Sequence, residues 1–89
     1  MIRIWARIEI DNKIQKDMIY ESGENYNRDE FFLHLTEICY QLGIPTPVII
    51  TSHFENFENF NNMRFLPRDF VESVNFDHLV LENATRQPY

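Results

Sequence analysis

The chain opens on a strict alternation. Ile2, Ile4, Ala6, Ile8 and Ile10 occupy every second position, with Arg3, Trp5, Arg7 and Glu9 between them. A period of two puts the two sets on opposite faces of a β-strand. Asp11, Asn12 and Lys13 form a turn cluster, and a second strand runs from Ile14 to about Tyr20. Pairing Ile10 with Ile14 sets Ala6 opposite Met18 and Ile4 opposite Tyr20 on the core side. On the other face it sets Arg7 opposite Asp17, Trp5 opposite Ile19 and Arg3 opposite Glu21. A slip of one residue loses these two charge pairs and the aromatic–aliphatic pair. Lys16, opposite Ile8, is the weak point; it marks the second strand as an edge strand.

After a polar loop containing Gly23, the period changes. Phe31, Phe32, Leu35, Ile38, Cys39 and Leu42 form one helical stripe. Asn27 with Glu30 three residues on is a capping-box start, and Gly43 is a suitable C-terminal cap. Leu33 and Tyr40 lie almost opposite the stripe. Ile44-Pro45-Thr46-Pro47 is a rigid connector that cannot continue the helix. A third strand is expected from Val48 to about His53, one short helical turn at Pro67-Arg68-Asp69-Phe70, and a last strand from Phe76 or Asp77 to Glu82.

Between these strands, Phe54, Phe57 and Phe60 recur every third residue in a run of Phe-Glu-Asn triplets. That period fits neither a strand nor a long α-helix, so the segment reads as a 3₁₀-like coil or an irregular loop. The order is β-β-α-β-β. It predicts a small α+β domain over residues 1–82, with a mostly antiparallel sheet, one helix on one face, and a polar tail over 83–89. In this scheme the third strand lies beside the first.

Composition narrows the function classes. The 89 residues make one domain, 44% hydrophobic and 15% aromatic, which is a globular composition. The formal net charge is −6, with 8 Lys and Arg against 14 Asp and Glu. Nucleic acid and anionic membranes are therefore poor partners. Cys39 stands alone, so no internal disulfide forms, which fits a reducing compartment. The alternating opening is a strand rather than a signal peptide, and no apolar run is long enough to span a bilayer. The chain reads as cytoplasmic.

No phosphate-binding loop or nucleophile elbow is present, and with only Gly23 and Gly43 none can be built. Cys39 sits on the apolar stripe and reads as a core residue. The acid pairs Asp69 with Glu72 and Asp77 with Glu82 are what an acidic chain supplies by chance, and Arg64 and Arg68 have Asp69 and Glu72 as neighbours to neutralise them. No catalytic residue and no cofactor is assigned. The best metal-ligand set is His53, Glu55 and His78, with Glu58 and Asp77 nearby; its spacing matches no zinc signature. His34 lies on the helix flank without a partner. The Arg3-Trp5-Arg7 stripe has the makings of a stacking platform, but the hairpin register neutralises both arginines.

The run from Arg64 to Val74, followed by Phe76-Asp77 and Leu79-Val80-Leu81-Glu82, resembles the C-terminal part of a family of small bacterial proteins without an assigned function. The likeness extends to the Ile44–Pro47 step and the opening strand, and it implies no activity, cofactor or site. The reading that follows is a small non-catalytic interaction protein, using Trp5, Ile19, Phe54, Phe57 and Phe60. Phe57 or Phe60 is expected to cover part of the far sheet face, with a homodimer burying the remainder. The alternative is a metal- or ligand-binding domain at His53, Glu55 and His78.

Overall fold

The computed structural model describes residues 1–85. Strands β1 (Ile2–Ile10) and β2 (Lys13–Ser22) form the opening hairpin. Helix α1 (Arg28–Leu42) and helix α2 (Thr51–Phe60) follow, then β3 (Asn62–Phe65), a 3₁₀ turn at Pro67–Asp69, and β4 (His78–Asn83). The four strands make one antiparallel sheet in the order β2-β1-β4-β3.

The hairpin holds the expected register from Ile2 to Ile8: Arg7 faces Asp17, Trp5 faces Ile19 and Ile4 faces Tyr20. It departs only at its closed end. Asp11 and Asn12 both adopt positive φ, 53° and 63°. That is the two-residue turn whose twist suits a hairpin, and Asp and Asn tolerate it without glycine. Ile10 then pairs with Lys13, not Ile14, and a bulge between Ile8 and Glu9 absorbs the extra residue. Lys16 is exposed, but its ammonium turns back to the helix layer. Its Nζ donates to the Leu42 carbonyl at 3.1 Å. The last turn of α1 has no basic residue of its own, so the strand supplies the cation at the negative end of the helix dipole.

Helix α1 starts and stops where its caps predict. The Asn27 side chain accepts from the Asp29 backbone N–H, and Gly43 closes the helix at φ 72°. Phe31, Leu35, Ile38, Cys39 and Leu42 are buried against Ile2, Ile4, Ala6 and Ile8. Phe32 is a correction to that stripe: it lies at the edge and is 52% exposed.

The larger corrections fall after Gly43. Val48–Ile50 extends but pairs with no strand. Pro45 and Pro47 lack N–H groups, Val48 N donates to the Asp69 carbonyl, and Ile50 N donates to His53 Nδ1. With the Val48 and Ile50 donors committed, the segment leads into α2 instead of a third strand. The Phe triplets are helical, so the sheet carries two helices and not one. Three residues turn an α-helix about 60° short of a full circle, so the three rings spread across its surface. Phe57 is buried, Phe54 half-buried, and Phe60 in the last turn is 68% exposed. α2 lies on the same sheet face as α1: Phe31 stands 5.5 Å from Phe57 and 6.1 Å from Phe54, ring centre to ring centre. Neither Phe57 nor Phe60 therefore covers the far face.

Asn61, in the left-handed conformation, turns the chain into β3, whose Met63 and Phe65 are fully buried. β4 then inserts between β1 and β3, so the last strand, not the third, lies beside β1. The ordered chain runs past residue 82: Ala84 N donates to the Arg3 carbonyl, and Arg3 N donates to Thr85 Oγ1. The rest of the expected tail, residues 86–89, lies outside the described residues. Among the described residues no helix is long and apolar enough to cross a membrane.

Candidate functional site

Both helices pack on one face of the sheet, so the chemistry of the other face is set by the strands alone. Arg7 is its centre. The guanidinium carbon lies 4.2 Å above the centre of the Trp5 ring. Nε donates to Glu9 at 2.9 Å and Nη1 to Glu82 at 3.2 Å. Arg7 faces Asp17 in the ladder but does not pair with it; Asp17 instead accepts the Trp5 indole N–H at 2.8 Å. An indole N–H carries no charge, so Asp17 is left without an ion-pair partner among the described residues. Arg3 comes no closer than 4.0 Å to Glu21, and its Nε has no hydrogen-bond partner. Val80, flanked in the ladder by Arg7 and Arg64, is 2% exposed with no helix above it. Long side chains at neighbouring ladder positions bury it.

The β4 side of this face is thus closed by its own ion pairs, while the β2 side is open. Ile19 is 47% exposed beside the half-buried Trp5. β2 is the outermost strand, and among the described residues nothing pairs with its free edge. Of the five residues expected at an interaction surface, Trp5 and Ile19 stand together here. Phe57 is in the core. Phe54 is half-buried beside the Arg28 guanidinium, and Phe60 is exposed at the end of α2, on the other side of the sheet.

The histidines are placed apart. His53, in the first turn of α2, stacks on Phe65 with ring centres 4.4 Å apart. Its Nδ1 accepts from Ile50, which leaves the proton on Nε2, 3.7 Å from Asp69. Burial pulls its pKa below the ordinary value, against the opposing pull of Asp69. His53 is therefore a neutral cap on α2. His78 stands on the far sheet face, 3.7 Å from Glu9. The sheet separates the two rings, and Glu55 is exposed on α2. Among the described residues no three His, Cys, Asp or Glu side chains gather to hold a metal ion.

His34 has partners that the sequence reading missed. It is 6% exposed, shares a 2.7 Å hydrogen bond with the Tyr20 hydroxyl, and lies 3.7 Å from Glu24. The signal was present: His34 is three residues after Phe31, on the same helical stripe. Burial first, then the charges of Glu37 and Glu24, raise the pKa of Tyr20. A second cluster joins the two helices. Arg28 grips Glu58 with two hydrogen bonds, 2.6 and 2.7 Å, and the Tyr26 hydroxyl donates to the same carboxylate at 2.6 Å. Those bonds, Arg28's first, hold the Glu58 pKa down at about 2.

An open groove of about 450 Å³ runs between Gly43–Pro45 and Ser73–Phe76. Apart from Ser73 and Asn75 its lining is apolar or backbone, and no His, Cys, Asp, Glu, Lys or Arg is part of it. Cys39 is fully buried, and burial pushes its thiol up to about 12, which makes it a core residue and not a nucleophile. No family model, curated protein or solved structure matches the chain.

Proposed function

We propose that this chain is a small interaction protein, without chemistry of its own, that binds another protein on the open side of the β1–β2 hairpin. The observation that carries the reading is Ile19. It is a large aliphatic side chain, half in water, on an edge strand beside Trp5, with no helix to cover it. An apolar knob beside unpaired strand backbone marks a partner surface. The free edge is the longer of the sheet's two, ten residues against four in β3. Arg7 is committed to two carboxylates and lies over Trp5, which argues against base stacking and supports a protein partner. The single buried thiol supports a reducing compartment, which is the cytoplasm in this reading.

Photo-crosslinking from the positions of Ile19 and Phe60 in living cells tests it. A photoreactive residue at 19 is expected to capture a partner protein, and one at 60 is not. Capture from 60 alone, or from neither position, overturns the reading.

A further inference from the structure

The regular part of the open edge is the stretch from Asp17 to Ser22. It lies beyond the bulge, pairs residue for residue with β1, and contains no proline, glycine or lysine. Natural edge strands are blunted by those residues, by bulges or by a covering segment. Here the bulge and Lys13 sit at the turn end only. Lys16, the nearest cation on the strand itself, is drawn inward to the C-terminus of α1.

The side chains around this stretch are apolar or acidic. On the open sheet face the order is Asp17, Ile19, Glu21, with Glu21 55% exposed. On the helix side, Glu24 and Glu37 lie around Tyr20, with Glu24 63% exposed. Asp17 has only an indole N–H for a partner, and Glu21 only an arginine 4.0 Å away.

We propose that the Asp17–Ser22 edge takes an extended basic segment of a partner protein as a fifth strand of the sheet. Main-chain hydrogen bonds supply the docking, and alternate side chains supply the selection. A residue opposite Ile19 is apolar, and those two places to either side, opposite Asp17 and Glu21, are Lys or Arg. Such cross-strand charge pairs are favourable, whereas like charges set opposite one another are not. This pattern disfavours a second copy of the chain. A two-fold antiparallel pairing centred on Asp17 sets that residue against itself, and one centred on Ile19 sets Asp17 against Glu21. No register within 17–22 offers a cation to either acid, because the stretch has none; the Asp17-centred pairing reaches one only at Lys13, opposite Glu21 and beyond the bulge.

The proposal rests on the interaction reading above and is tested separately from it. The probes are two synthetic peptides, one alternating Thr-Lys-Thr-Val-Thr-Lys-Thr and one with Glu for each Lys, titrated into the whole chain at low salt. Amide shifts and hydrogen exchange are followed by NMR. The basic peptide is expected to shift and protect amides of Asp17–Ser22, to weaken as salt rises, and to bind at least about tenfold more tightly than the acidic one. The double variant Asp17→Asn with Glu21→Gln keeps an acceptor for the Trp5 indole while removing both charges. It should lose the preference with an unchanged melting temperature. Equal binding of the two peptides overturns the proposal. So do shifts confined to Phe32, Leu33 and Tyr40 on α1, or a wild-type dimer whose β2 edge is already protected. If the crosslink from position 19 succeeds while the peptides fail, the interaction reading stands and the added-strand mode does not.

Discussion

Glu58 and Cys39 show how neighbours decide what a titratable side chain does. Glu58 is held at about 2, below its ordinary 4.5, because Arg28 and then Tyr26 hydrogen-bond its ionised form. A carboxylate with a depressed folded pKa adds stability that is fully present above its unfolded value. That stability is lost as the pH falls toward about 2. The cluster is on the surface, so the effect is small. Urea denaturation across that range should show wild type losing more stability than Glu58→Gln, with the gap between them closing as the acid end is reached. A gap that widens toward low pH would sink the assignment. Cys39 makes a kinetic prediction. Its thiol is buried and raised to about 12, so a thiol reagent should leave the native protein unmodified and react only in denaturant. Rapid labelling in buffer would place Cys39 at the surface.

Helix α2 makes its prediction as an element. It has no acidic residue in its first turn and no side-chain cap at Ile50 other than the returning His53 ring, so packing holds it. Phe57 is the side chain that packs, between Tyr26 and Phe31. Phe57→Ala should cost about 3–5 kcal/mol in chemical denaturation, as buried aromatic truncations do. Phe60→Ala, three residues on, should stay within about 0.5 kcal/mol. Equal costs would mean that the row of phenylalanines faces the core together. In α1, Leu35 is fully buried over β1, and Leu35→Ala should cost about 2–5 kcal/mol.

Taken whole, the molecule is one helix layer on one sheet layer, and the far face of the sheet is open along β2. The two helices, the charge network around Arg7 and the stems beside Val80 close the rest. A half-exposed isoleucine at such an edge contributes little to folding. Ile19→Lys should leave the melting temperature within a few degrees of wild type while abolishing binding of a partner to the open face. A large drop in melting temperature would show that Ile19 is core after all. With Asp17, Glu21, Glu24 and Glu37 around the edge and −6 overall, light scattering at physiological salt should return a monomer mass. The homodimer expected from the sequence would need that repulsion offset by contacts elsewhere.

The hairpin register and helix α1 were legible from residues alone. Their signals are repeated many times over a short span: five alternating apolar positions, three agreeing cross-strand pairs, a full helical stripe with a cap at each end. Such signals depend only on chain geometry and near neighbours. The second half carried no such redundancy. Val48–His53 has strand-forming residues, yet the Asp69 carbonyl, from a segment far along the chain, takes the Val48 donor, and the His53 ring, turned back by the first turn of α2, takes that of Ile50. Thr51–Phe60 is too short to be helical on propensity, and it is a helix because Phe31 and Tyr26 offer its Phe57 a place to bury. Asn62–Phe65 alternates polar and apolar, but over only four residues, too short a run to read as a strand, and the open edge of β4 makes it one. The site divides the same way. Trp5 and Ile19 were placed together by register, but which acids Arg7 takes and which it leaves unpaired depended on β4 arriving beside β1. Short segments hold too few local contacts to offset the entropy of ordering them, so the surface each one meets decides its form.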